Sequence, residues 1–415
     1  MTDAWEDRQA RIRARVERHF IDPDNGLVFT FLDRETLRPP EDALFAGAER
    51  DPKFSVDGVT MAEMHRHENC GMCTGAYMQA ETLRYENDGA SDALEHARRC
   101  LAAFRFVHEA GRRKEPGFFP KMYGGRYSEE TSTDQVLYAC CGMERFLRHA
   151  TPAERAGISE MIGDLVGFWM RRDYRYPYFR ACGPDWQWPL VRFPALLLLA
   201  HRVTGSASFR REYERLLPRT GMPEHCSLHR RDWQPREFER RNGAWLTSAG
   251  ADRVTMDTMQ FDLLLRLDPG NPMAETWRAG IRIMWDEVRE NLTPDGRYHS
   301  MMLYDFDTLA PRRTPGYAVD GGNEHGARSS WSSMAARAGL QGLAHCPGLP
   351  GAEAYALRVL THLDFEDCSY YDEPERFPPE RRYQTRLLSG DAAANLLWCA
   401  QLARARRAEA ETPAP

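Results

Sequence analysis

The chain has 415 residues, and its 55 lysines and arginines against 61 aspartates and glutamates give a formal net charge of -6. That balance excludes a general attraction to nucleic acid or to an anionic membrane surface. A hydrophobic share of 42% with 11% aromatics supplies a sizeable core and excludes a mostly disordered chain.

The opening MTDAWEDRQARIRARVERHF is charged and amphipathic, so it reads as a helix over residues 4 to 20 and not as a signal peptide. The protein is therefore expected in the cytoplasm. Leu27 to Leu32 reads as a short strand. Helical periodicity resumes at residues 69 to 86 and at 91 to 111, where Leu94, Ala97, Leu101, Phe104 and Val107 share a face and Gly111 ends the run. Residues 133 to 149 follow. Next comes the clearest start signal of the chain, Thr151-Pro152-Ala153-Glu154, with threonine at the N-cap, proline at the first helical position and glutamate at the third. Behind it Ile158, Met161, Ile162, Leu165 and Trp169 form one apolar face.

Residues 188 to 203 contain the longest apolar run, Ala195 to Ala200, far short of the roughly 20 residues that cross a bilayer, and no membrane span is expected. Further helices are expected at 255 to 267, after Asn271-Pro272 and Glu275 with the face Trp277, Ile281, Met284, Trp285 and Val288, and at 328 to 344, 351 to 363 and 387 to 407. Arg297 to Leu303 reads as a second short strand.

The helices arrive in pairs, and the strands are too few and too irregularly placed for a doubly wound sheet. Helical hairpins that bury one another suggest a solenoid or a closed ring, and with no residue-level repeat of the common helical families the closed ring is the better reading. The expected architecture is all-α, one toroidal domain over residues 1 to 410 with a frayed tail at 411 to 415. The irregular segments Arg34 to Met61, Glu115 to Thr133, Asp173 to Gln187, Pro218 to Thr255 and Thr308 to Arg328 then become loops at one mouth. Ten cysteines in a cytoplasmic chain read as small buried hydrophobes instead of disulfides.

Three stretches carry a family resemblance: HFIDPDNGLVFTFLD, then HENCGMCTGAYMQAETLRYENDGASDALEHARRCLAAFRFV, then GFFPKMYGGRYSEETSTDQVLYACCGMERFL. The pattern is a small-residue helix with G-x-x-x-G-A-Y-M, a second amphipathic helix, a glycine-rich passage ending in S-x-D-Q, and a third helix. It resembles the first hairpins of the six-hairpin glycosidase-like superfamily, which includes unsaturated glucuronyl and rhamnogalacturonyl hydrolases. The resemblance implies an (α/α)6 toroid with a carbohydrate pocket and aspartates near hairpin ends. Those hydrolases carry an aspartate where this chain reads His67-Glu68-Asn69.

Asp134 is the first candidate for catalysis. Ser132 and Gln135 have capping-box spacing, so Asp134 falls in a first helical turn, where it either complements the helix dipole or serves as a general acid at the pocket mouth. A glycosidase needs a second carboxylate, for which the candidates are Glu68, Asp185, Asp257 and Glu324, with Glu68 leading on the resemblance. For the other three, a solvated or capping role is the competing reading.

Aromatics in or beside the loops suit sugar rings, whose apolar faces stack and whose edges hydrogen bond. Tyr123, Tyr127, Trp186, Trp188 and Trp331 are the candidate substrate contacts, with His67, Gln135, Arg126, His325 and Arg328 as polar partners. Lid packing is the alternative role for these aromatics, as for Tyr174, Tyr176, Tyr178 and Phe179.

The expected function is a glycoside hydrolase for a small, uronic or otherwise modified oligosaccharide, using carboxylate chemistry without a cofactor or metal. Three other readings compete. A sugar epimerase or lyase on the same ring would use histidines such as His67, His299 or His325. A non-catalytic sugar-binding toroid would keep the aromatics alone. A zinc-dependent toroid of the lanthionine-cyclase type would draw on His65, His67, Cys70 and Cys73, or on Cys140, Cys141, His345 and Cys346. No P-loop, G-x-G-x-x-G, G-x-S-x-G or H-E-x-x-H motif supports nucleotide, serine-hydrolase or zincin chemistry.

Overall fold

The computed structural model describes residues 3–48, 55–220, 239–241, 244–247, 250–290, 292, 296, 298, 302–305, 311–313, 318–320, 323–325, 329–362, 368 and 379–411. Its helices are α1 (Asp3–Arg15), α2 (Met61–His67), α3 (Cys70–Asp88), α4 (Ser91–Gly111), α5 (Thr133–Phe146), α6 (Pro152–Arg171) and α7 (Pro194–Thr204). They continue with α8 (Ala207–Leu216), α9 (Gly250–Leu267), α10 (Ala274–Glu290), α11 (Ser329–His345), α12 (Ala352–His362) and α13 (Gly390–Glu411).

Burial sorts these helices into two rings. Every side chain of α3 from Cys70 to Arg84 is buried, as expected of a helix surrounded by protein. On α4 the buried apolar residues are Ala93, Ala97, Cys100, Leu101, Ala103, Phe104 and Val107, one face of the helix, the signature of an outer helix laid on an inner one. Contacts pass around the inner ring from α3 to α5, α7, α9, α11 and α13, and α13 returns to α3. Helices α4, α6, α8, α10, α12 and α1 pack outside it. The result is an (α/α)6 toroid.

Close inner packing rests on small residues. A Cβ at Gly75 would stand 2.4 Å from the Tyr138 carbonyl oxygen, and one at Gly71 would stand 2.6 Å from Gln135 Oε1, so only glycine lets α3 and α5 approach as they do. Gly71 meets Gln135, Gly75 meets Tyr138 and Gln79 reaches the Cys141 carbonyl, so the two helices run parallel. Cys73 meets Asp391 and Asn87 meets Gln401, which makes α13 parallel to α3 as well. The N-terminal ends of these three helices therefore share one mouth.

At that mouth the segment before α2 is tied to the segment that leads into α13. β1 (Phe31–Asp33) pairs antiparallel with a strand at Leu387–Ser389, and the Gly390 amide donates to the Thr30 carbonyl. Elsewhere, strands at Glu239–Arg241, Ala244–Thr247, Met302–Asp305 and Pro311–Arg313 form a four-stranded antiparallel sheet. The expected strand from Leu27 is shorter and begins at Phe31, while the one expected at 297 to 303 is seen from Met302 onward.

Among the helices, the Thr151 capping box forms in full: Thr151 Oγ1 accepts from the Glu154 amide and Glu154 Oε2 from the Thr151 amide. The expected box at Ser132 does not. Ser132 is the N-cap residue of α5, yet its side chain makes no capping bond. Asn271 Oδ1 accepts from the Met273 amide, but Glu275 pairs forward with Arg278 and Arg282 instead of back. Helices α2 and α8 were not expected. The first starts with its own capping box at Thr60 and Glu63, and the second hides its Phe209, Tyr213 and Leu216 stripe among charges.

The nine described cysteines are free thiols, eight of them buried. None of the helices among the described residues is long and apolar enough to cross a membrane. Residues 412–415, the end of the expected tail, lie outside the described residues; residue 411 closes α13.

Candidate active site at the shared mouth

The site is built where α2 breaks into α3. Glu68 keeps helical backbone angles, but Asn69, at φ -118° and ψ 24°, turns the chain before α3 begins. Glu68 stands at this corner, its side chain 24% exposed. Facing it is the loop between α4 and α5. The Lys121 amide donates to the Glu130 carbonyl, Ser128 Oγ donates to the Lys121 carbonyl, and Thr131 Oγ1 donates to the Phe119 carbonyl. These stitches hold the loop doubled back on itself. Gly124, at φ 60°, lies over Glu63, where a Cβ would come within 2.8 Å of the carboxylate.

The loop delivers two groups to Glu68. Lys121 Nζ, on a side chain only 2% exposed, lies 2.5 Å from Glu68 Oε1 and also donates to the Glu68 carbonyl at 3.1 Å. The Tyr123 hydroxyl donates to Glu68 Oε2 at 2.8 Å. Both carboxylate oxygens are thus engaged.

Burial alone would push the Lys121 ammonium toward its neutral form. The charges of Glu68 and Asp134 and the Tyr178 phenol outweigh that, so its pKa is raised and it stays a cation. Burial and the Glu68 charge push the Tyr123 phenol far up, so it remains a donor.

Asp134 is the second residue of α5 and is half-buried, with Oδ1 accepting from the Gln135 amide at 2.9 Å. The residue expected to cap with Ser132 does something else. Gln135 Nε2 donates to the Glu68 carbonyl at 2.9 Å and its Oε1 accepts from the Gly71 amide at 3.2 Å. Gln135 is therefore a brace between α5 and the Glu68 corner. Arg192, in the turn before α7, reaches Thr133 Oγ1 at 3.1 Å.

The other expected residues are spread more widely. Asp185 is exposed, its carbonyl accepting from Arg175, and Asp257 is buried on α9. Glu324 and His325 lie on a strand at Asn323–His325 whose side chains, with Arg328 and His299, fall outside the described residues. His67 is buried, its Nε2 2.9 Å from Asp22 Oδ2. Arg126 is 63% exposed and pairs with Glu63.

Trp188 is buried, donates from Nε1 to the Tyr176 carbonyl and packs edge-on against Trp169. With Tyr174 and Tyr176 it forms an aromatic floor, which is the packing role, whereas Tyr127, Tyr178, Trp186 and Trp331 are half-buried.

Sequence reading passed over two residues of the site. Lys121 belongs to a chain poor in lysine and rich in arginine, a scarcity that could have drawn attention to it. Glu130, in the SEET stretch, is the other. It is half-buried, with Oε2 accepting from the Phe179 amide at 3.0 Å.

The histidines and cysteines near Glu68 do not converge. His65 Nδ1 lies 2.9 Å from the Met61 carbonyl and Cys73 donates to Asp391. Burial pushes the Cys70 thiol up to about 12. Farther round, His345 pairs with Asp262, and the Cys346 thiol lies 3.5 Å from the Arg278 carbonyl. Among the described residues no three His, Cys, Asp or Glu side chains are grouped to hold a metal ion.

No family model and no curated protein matches the chain. Solved structures do. An unsaturated glucuronyl hydrolase specific for heparin is 11% identical over 99% of both chains, with a TM-score of 0.57. A D-mannose isomerase is 12% identical over 98% of both, with a TM-score of 0.53. An unsaturated glucuronyl hydrolase from Bacillus sp. GL1 is 15% identical over 98% of this chain and 97% of that one, with a TM-score of 0.52. Likeness at these identities is a likeness of fold, and it agrees with the (α/α)6 toroid formed by the described helices.

Proposed function

We propose that the protein is a glycoside hydrolase for a small, uronic or otherwise modified oligosaccharide, and that its site is the mouth formed by Glu68, Lys121, Tyr123 and Asp134. The observation that carries this reading is the Glu68 carboxylate fixed by a buried ammonium and a phenol beside the half-buried Asp134. A carboxylate held in place without reorganisation stabilises positive charge that develops on a sugar ring during glycosidic cleavage. Glu68 has that role. Asp134, bonded through Oδ1 to the adjacent Gln135 amide, is the carboxylate that moves a proton.

The solved structures of like fold include sugar hydrolases and a sugar isomerase by their own descriptions, which supports a sugar substrate. Proton transfer by His67, as an epimerase would use it, is disfavoured by its burial and its bond to Asp22. The test is turnover of a panel of aryl glycosides and unsaturated uronide disaccharides by the purified protein. Hydrolysis of at least one supports the reading. Isomerised sugar, or binding without turnover across the panel, would replace it.

A further inference from the structure

We propose that Glu130 is a second acid-base carboxyl of this mouth, the group that gives the leaving oxygen its proton. The inference rests on the hydrolase reading above and adds the partner that Asp134 requires. It begins with the backbone. Phe179 has φ 46°, a left-handed conformation that a bulky aromatic residue rarely adopts, and its amide points at Glu130 Oε2 at 3.0 Å. The Phe179 ring lies 5.4 Å from Lys121 Nζ. One strained residue therefore holds the Glu130 carboxyl and covers the ammonium that fixes Glu68.

The charged and titratable groups facing Glu130 come from three segments. Lys114, Lys121 and Tyr123 belong to its own loop, Glu68 to the corner between α2 and α3, and Tyr176 to the segment that carries Phe179. Burial raises the Glu130 pKa, and the Glu68 charge adds to this; the Phe179 amide and the two lysines oppose them without prevailing. A carboxyl pushed by its surroundings toward the protonated form is the usual choice of acid in such a site. In the reaction, the Glu130 proton passes to the glycosidic oxygen as its bond to the anomeric carbon breaks. Water adds to that carbon and gives its proton to Asp134, and exchange with solvent restores both groups.

Glu130→Gln keeps an acceptor for the Phe179 amide but carries no transferable proton. Turnover of substrates with poor leaving groups should fall at least about 100-fold, the lower end for losing a general acid. Dinitrophenyl glycosides, whose leaving group needs no proton, should lose less than about tenfold, and the alkaline limb of the pH–rate profile should vanish. A purely structural Glu130 would depress both substrates alike and leave the limb in place, which would overturn the proposal. A second arm needs no substrate. In protein labelled with 13C at glutamate side-chain carboxyls, the resonance absent from Glu130→Gln should titrate above the bulk of the glutamates. A midpoint within the bulk would overturn the proposal even if no glycoside were hydrolysed, an outcome that by itself would refute only the hydrolase reading.

Discussion

Glu68 and Lys121 lie 53 residues apart and meet at 2.5 Å, so the corner before α3 and the loop before α5 are locked by a charge pair whose ammonium is buried. The pair explains why the mouth has a fixed geometry without a covalent tie. Tyr123 and Gln135 add bonds to the side chain and carbonyl of the same Glu68.

Removing the ammonium should leave Glu68 uncompensated. Lys121→Met is expected to cost about 3 kcal/mol of stability, in the range for breaking a buried pair from one side. Urea denaturation of variant and parent measures it. A difference below about 0.5 kcal/mol, the level of an ordinary surface change, would mean that the pair is not a keystone of the mouth.

The approach of α3 to α5 gives a prediction independent of function. Gly75→Ala would place a methyl 2.4 Å from the Tyr138 carbonyl oxygen, a backbone atom that cannot swing aside. Overpacking of this kind should destabilise by about 3 kcal/mol, against the roughly 1 kcal/mol that alanine would gain by helix propensity. Thermal melting decides the sign, and a stabilised variant would contradict the close crossing.

A third prediction concerns acid stability. Glu81 is 1% exposed and accepts from Arg13, Arg84 and His96. Burial raises its pKa, but the His96 hydrogen bond and the two arginines outweigh it, so the net direction is down. A carboxyl depressed on folding stabilises the protein above its unfolded value of about 4.3, and that contribution is lost as pH falls through the lower folded pKa. Melting midpoints of parent and Glu81→Gln should therefore differ at pH 7 and converge toward pH 3. A constant gap would show that the ionisation of Glu81 contributes nothing.

Much of the ring was legible because it is written locally. Thr151 to Glu154, the 158 to 169 face and the 277 to 288 face are signals within a few turns, and each produced its helix. Helix α8 escaped because three apolar residues in ten leave a weak period. The candidate site was legible only in part. Asp134 and Glu68 stood out as carboxylates in a resembling pattern, but Gln135 was misread because its partners, the Glu68 carbonyl and the Gly71 amide, lie 64 or more residues away. Lys121 and Glu130 were missed for the same reason. Their roles depend on a folded loop and on a backbone angle at Phe179, neither of which has a local sequence signature.

The central claim, that this mouth is a hydrolytic site, is tested most directly through Asp134, whose side chain is not the helix cap. Ser132 holds that position, and Asp134 Oδ1 meets only the adjacent amide in the described hydrogen bonds. Asp134→Asn preserves shape and removes proton transfer. On whichever glycoside the parent hydrolyses, turnover should fall at least about 100-fold while stability changes by less than about 1 kcal/mol. An Asp134→Asn protein that turns over substrate at the parental rate would contradict the account.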